Sequence, residues 1–202
     1  MLGPMTSRIT SANRGFTLVE TTIVLLVIAM VVVISVPNLL RSRTKAAMLE
    51  QVRTLQQSLS VARISAIRGG SRVVVAVTQD LTGSSGWRVR AWSDENGDDA
   101  FQSGEDEVGE WRIRSGYTVQ EDAADPVYKL GGGAAPGFVF LPSGSAIVDA
   151  AGHVGVGDGS LVVSDRHGNE IRLEVTGGAA TVRRQMKDFD GAWRPELRYW
   201  RY

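Results

Sequence analysis

Between Arg14 and Pro37 the chain reads RGFTLVETTIVLLVIAMVVVISVP, and no other stretch limits its possible architectures as strongly. No charge occurs from Thr21 to Val36, and counted from Phe16 to Val36 the apolar segment holds 21 residues. As a helix it extends about 32 Å at ~1.5 Å per residue, enough to cross a bilayer core of roughly 30 Å. One acid breaks the pattern. Glu20 sits near the start of the segment, where an unpaired carboxylate in hydrocarbon costs on the order of 2.5 kcal/mol or more. It lies either at the headgroup level or beside a functional partner.

A secretory signal peptide would place its cleavage site behind the apolar stretch, after small residues. Here Gly15 precedes the stretch. The run Arg14-Gly15-Phe16-Thr17-Leu18-Val19-Glu20 resembles the processing site of type IV prepilins and pseudopilins. That resemblance implies a polar cytoplasmic leader over residues 1–15, cut between Gly15 and Phe16 by a prepilin peptidase, and methylation of Phe16 as the new N-terminus. It also implies an assembly role for Glu20, the fifth mature residue, whose carboxylate would meet the N-terminal amine of a neighbouring subunit and so gain the partner a buried charge needs. Pro37 stands where family members often carry a proline. Arg8 and Arg14 on one side face Arg41, Arg43 and Lys45 on the other, so the charge bias alone does not place the N-terminus in the cytoplasm. The resemblance implies that orientation, with a single pass through the inner membrane and a periplasmic C-terminal domain.

The rest of the chain is bounded by its length of 202 residues and by 22 basic against 22 acidic side chains. That is room for one anchor and one modest soluble domain, with no charge bias to select a partner. The absence of cysteine excludes disulfides, thiolate ligands and a cysteine nucleophile.

Past Pro37 the apolar residues Met48, Val52, Leu55, Leu59, Ala62 and Ala66 alternate steps of four and three, which draws one stripe down a helix. Gly69 and Gly70 end it as a C-terminal cap would. The anchor (16–37) and this amphipathic segment (38–70) read as one long helix, kinked where Pro37 removes a backbone hydrogen bond. Strands are expected over 72–77, 86–92, 108–113, 116–120, 138–141, 160–164, 171–176 and 179–183, with Gly177 and Gly178 making a hairpin turn through positive φ. Gly131 to Gly133, with Pro136 and Gly137, read as a loop. One long helix followed by strands gives an α+β class, with a β-domain over 71–183 and a basic, aromatic tail over 184–202.

The order GWRVRAWSDENGDDAFQSGEDEV, then FVFLPSGSA, then the paired strands around Gly177 resembles the GspH/FimT-type minor pilin domain, which implies the pilin fold. DNA-receptor members of that group carry Gly-Arg-x-Arg near the C-terminus. Here the stretch is Thr181-Val182-Arg183-Arg184, without the glycine.

Two stretches could carry chemistry. From Asp94 to Glu110 there are eight acids and no base. Asp94, Asn96, Asp98, Gln102 and Glu105 fall at positions 1, 3, 5, 9 and 12 of an EF-hand-like calcium loop. Asp99 stands where that loop needs glycine, and a solvated acidic hairpin tip is the competing reading. From Arg183 to Tyr202 there are six bases against three acids. Arg183, Arg184, Arg194 and Arg198 among aromatics such as Trp200 suit either DNA or a contact with the domain or the next subunit. An enzyme is not expected, since His153 and His167, the only histidines, stand in Gly-rich turns outside any nucleophile or metal motif. The resemblance implies a structural and assembly subunit, priming or at the tip, of a type IV pilus. The alternatives are a GspH-like pseudopilin of type II secretion and a DNA-binding minor pilin acting in uptake. Expected partners are the major pilin, other minor pilins or pseudopilins, the prepilin peptidase and inner-membrane lipid.

Overall fold

A computed structural model describes residues 17–80, 86–133, 135–188 and 190–195. The expected cleavage pair Gly15 and Phe16, and Arg198 and Trp200 of the tail, lie outside those residues. One helix, α1 (Leu18–Gly69), continues through Pro37, as the reading of a single long element expects. At its start the Thr17 hydroxyl accepts the Glu20 N–H at 3.2 Å, satisfying one of the first-turn donors that a helix leaves open. At its end Gly70 adopts φ 65° and donates its N–H to Ala66 O at 3.1 Å, the left-handed cap that glycine permits.

The chain divides into two compact units, Met1–Arg43 and Thr44–Tyr202. In the first, the described residues from Leu18 to Leu40 form a single helix that is exposed along its length. It is the one described helix long and apolar enough to cross a membrane.

In the second unit the α1 stripe is the spine of the core. Met48, Val52, Leu55, Leu59, Ala62 and Ala66 are all fully buried. They pack with residues from two antiparallel sheets. The first sheet runs β3 (Glu107–Ile113), β2 (Trp87–Asp94), β1 (Arg72–Gln79), β6 (Pro136–Phe140), β5 (Tyr128–Lys129), with β7 (Ala146–Ile147) beside β6. The second runs β11 (Trp193–Arg194), β10 (Val182–Lys187), β9 (Glu170–Thr176), β8 (Asp158–Asp165), β4 (Tyr117–Glu121). β3 and β4 are consecutive yet belong to different sheets. Their junction is tied to α1 by buried Gln51, whose Oε1 accepts the Arg114 N–H at 2.9 Å.

β1 is apolar without alternation because both its faces are covered. Val73, Val75 and Val77 enter the main core, while Val74 and Ala76 join Trp92, Leu130, Val139 and Ile147 in a second cluster. A buried two-sided strand carries no period-two signal.

The turn after β9 departs from the sequence reading. The last strand of the hairpin occupies Val182–Lys187 rather than 179–183, and the positive φ falls on Ala180, at 44°, rather than on Gly177 or Gly178. Gly177 is required by crowding instead. A Cβ there would stand 2.7 Å from Val156 O and 2.8 Å from Val156 N. Its own N–H bonds Gly157 O at 2.9 Å, and its carbonyl accepts the Ala146 N–H at 2.8 Å. The turn thus joins the end of β9 to β7 of the other sheet. Pro136 and Gly137, read as loop, begin β6, where proline is tolerated as the first residue of a strand. The short strands β5, β7 and β11 are pairings of two residues each, too brief to carry a pattern.

Candidate functional site

Glu20 occupies the first turn of α1 and is exposed. An acid there is favoured by the positive end of the helix dipole. The threonines beside it spend their hydroxyls on the helix itself, Thr21 to Thr17 O at 3.2 Å and Thr22 to Val19 O at 2.8 Å. Between Thr17 and Leu40 the sequence has no other charge. The carboxylate is therefore the one group of this segment able to form an ion pair with another chain.

The acidic stretch from Asp94 to Glu110 is solvated at Glu95, Asp98, Asp106 and Glu107 but not throughout. Asp94 and Asp99 are 3% and 7% exposed, because basic strand residues close on them. Arg72 of β1 places Nε 3.6 Å from Asp94 Oδ2 and Nη2 2.5 Å from Asp99 Oδ1. Asp99 also accepts from the Tyr128 hydroxyl at 2.7 Å. At φ 59° it holds the left-handed conformation, which aspartate tolerates better than most residues. The position that an EF-hand-like loop gives to glycine is thus filled by an aspartate that reaches back to the domain. Farther along, Glu110 binds Arg90 at 3.0 Å and Arg112 at 3.2 Å. The hydrogen bond from Arg90 outweighs partial burial and holds the Glu110 carboxyl below its usual range.

Within the loop, single carboxylate oxygens of Asp94, Asp98 and Glu105 all lie within 4.8 Å of one another. The backbone is folded to bring them there. Asp94 Oδ1 accepts the Gly97 N–H at 2.7 Å, Asp98 Oδ1 the Ala100 N–H at 2.9 Å, and Glu105 Oε2 the Gln102 N–H at 2.9 Å. Asn96 shapes the turn, its Oδ1 accepting the Asp98 N–H and its Nδ2 donating to Asp98 Oδ2, both at 3.1 Å. Trp92 and Phe101 meet edge to face at 5.8 Å, with Arg90 over the Phe101 ring at 4.7 Å.

The described part of the tail is a paired edge. Arg183 and Arg184 are adjacent on β10, opposite Glu174 and Leu173 respectively, so strand alternation sends their side chains to opposite faces. Arg194 Nη1 lies 3.4 Å from Asp188 and Nη2 2.5 Å from Asp190. The Trp193 ring has Lys187 at 5.5 Å and Arg172 at 5.7 Å, and Arg172 is itself held by Asp122 at 3.4 Å and by Asp125. Lys187, Trp193 and Arg194 of this segment engage their neighbours and the domain.

The histidines stand where turns put them. His153 Nδ1 is 2.9 Å from Asp149 Oδ2 and is largely exposed. Partial burial pushes the Asp149 carboxyl up, while hydrogen bonds from the His153 ring and backbone carry it below its ordinary value. The sequence reading missed the cluster of Arg72, Asp99 and Tyr128, since its members are 27 and 29 residues apart in the chain. It also missed Gln51. A signal existed there, for Gln51 falls three residues after Met48 and four before Leu55, on the flank of the apolar stripe.

A long helix, bare and apolar in its first part and packed on antiparallel sheets in its second, defines the pilin-like class of structural subunit. The chain belongs to the GspH family, whose model, described as type II transport protein GspH, matches residues 51–181. That family consists of pseudopilins and minor pilins of type II secretion and type IV pili, subunits that associate with other pilins or pseudopilins. No curated protein and no solved structure matches the chain.

Proposed function

We propose that the chain is a minor pilin that loses residues 1–15 between Gly15 and Phe16, is methylated on Phe16, and enters a type IV pilus as a priming or tip subunit. Before assembly it rests in the inner membrane by a single pass, with its β-domain in the periplasm. The observation that carries this reading is the exposed apolar segment of α1, charged only at Glu20. Such a surface has to be covered by lipid or by like helices, and a filament core offers both a cover and a cationic partner.

Type II secretion is the second reading, favoured by the description of the matching family as a transport protein of that system. Co-purification after cross-linking in cells separates the two. Recovery with pilus subunits supports the first, and recovery with secretion pseudopilins supports the second. Intact mass reports on processing: the mature protein should begin at Phe16 and carry one methyl group. A wild-type protein that keeps its leader would refute the reading in both systems.

A further inference from the structure

We propose that the loop from Asp94 to Glu105 binds a calcium ion through Asp94, Asp98 and Glu105. Three acids close together are not a site in themselves, because exposed carboxylates cluster freely in water. The second observation is burial. Asp94 is 3% exposed, and its Oδ2, like Glu105 Oε1, is shielded from solvent without a hydrogen bond. The nearby Arg72 Nε is 3.6 Å from Asp94 Oδ2, beyond hydrogen-bond length. Arg72 thus gives Asp94 a long ion pair while its Nη2 is held by Asp99 at 2.5 Å, and buried anionic oxygens without hydrogen bonds remain costly unless a closer cation meets them.

The loop divides the labour within each acid. One oxygen of Asp94 and one of Glu105 take backbone N–H groups, which fixes each carboxylate and leaves its second oxygen for a ligand. Asp98 likewise gives Oδ1 to Ala100 N, and its Oδ2 accepts from the Gln102 side-chain amide at 2.5 Å and from Asn96 Nδ2 at 3.1 Å, contacts that an ion would replace. A half-turn of that amide presents Gln102 Oε1 in place of its NH2 group. The separations suit the ion. Calcium binds oxygen at roughly 2.3–2.6 Å, so ligands on opposite sides of it stand about 4.6–5.2 Å apart, and one carboxylate oxygen from each of the three acids lies within 4.8 Å of the others. Oxygen-only ligands on an adaptable loop favour calcium over magnesium, which demands near-octahedral shells at roughly 2.0–2.1 Å.

The test uses the full-length protein in detergent, stripped with chelator and titrated with calcium chloride alone. Binding should saturate at one ion per chain, and at calcium a hundredfold over Kd the melting midpoint should rise by roughly 5–10 °C. Glu105→Gln should weaken Kd roughly tenfold or more through the lost ligand charge, with the chelated protein still melting cooperatively. Asp98→Asn carries the same expectation and serves if Glu105→Gln fails to fold, since Glu105 also braces the Gln102 N–H. Absence of saturable binding up to roughly 10 mM, tenfold above the weakest extracellular calcium modules, would overturn the proposal. So would an affinity that both variants leave unchanged, or an equal response to magnesium.

Discussion

The Tyr128 hydroxyl donates to Asp99 Oδ2 over 2.7 Å, while Arg72 Nη2 lies 2.5 Å from the other oxygen of the same carboxylate. A residue of the acidic loop is thereby clamped by one strand of the first sheet and by the short edge strand β5. Two effects oppose each other at Asp99. Glycine would relieve its φ of 59° but would leave the half-buried Tyr128 hydroxyl without its acceptor and Arg72 with Asp94 alone. Orphaning such groups costs about 1–3 kcal/mol, more than the strain of one left-handed aspartate. Asp99→Gly should therefore lower stability by about that amount in denaturant titrations of the full-length protein. A variant as stable as the wild type would mean that the backbone effect wins.

The same bond has a consequence at high pH. The hydrogen bond to Asp99, then burial, then the negative field of Asp99, raise the Tyr128 pKa above its ordinary value. A raised folded-state pKa means that the folded protein holds the proton more tightly than the unfolded chain. The associated stability is present in full below the ordinary tyrosine pKa of about 10 and is lost as pH climbs through the raised value. Tyr117 titrates in the same direction, through burial first, so the loss has two sources. Tyr128→Phe should flatten the decline of the melting midpoint above pH ~10 in part, leaving the share of Tyr117.

Gly177 offers a test of the junction between the sheets. Alanine there would press its Cβ against two backbone atoms of Val156 at 2.7 and 2.8 Å, and backbone yields less readily than a side-chain tip. Gly177→Ala should destabilise by about 1–3 kcal/mol, the usual cost of overpacking. At Gly178 the nearest atom is Gly155 O at 3.4 Å, an ordinary contact. Gly178→Ala should stay within about 0.5 kcal/mol of the wild type.

Local physics made the helix legible. The stripe from Met48 to Ala66 and the cap at Gly70 depend on spacing and on one residue's φ, and both stand as the sequence implies. Strands β2, β3, β8 and β9 were legible for the same reason, being long enough to show their period. What lay beyond reach was set by approach rather than pattern. The need for glycine at residue 177 comes from Val156, and the burial of Asp94 and Asp99 comes from Arg72 and Tyr128, none of which the local run contains. The acidic stretch shows the limit most directly. Its charge density implies full solvation, which holds at Glu95, Asp98, Asp106 and Glu107, and only the tertiary fold supplies the Arg72 that closes over Asp94 and Asp99.

The last prediction concerns Glu20. As an exposed first-turn acid it gains from the helix dipole only about 0.3–1 kcal/mol, while its unpaired transfer into hydrocarbon costs on the order of 2.5 kcal/mol or more. Helix stability alone does not account for a carboxylate there. If the proposed pairing with a neighbour's N-terminal amine is correct, Glu20→Ala should insert in the membrane at least as well as the wild type, because removing a charge favours insertion. Its processing at Gly15 should be unchanged, while its recovery in sheared or purified filaments should fall steeply. Glu20→Gln separates charge from size: an amide of the same shape keeps a hydrogen bond to the amine but not the ion pair, so it should assemble poorly as well. Incorporation of both variants at wild-type levels would place the carboxylate at the headgroup region with no part in assembly.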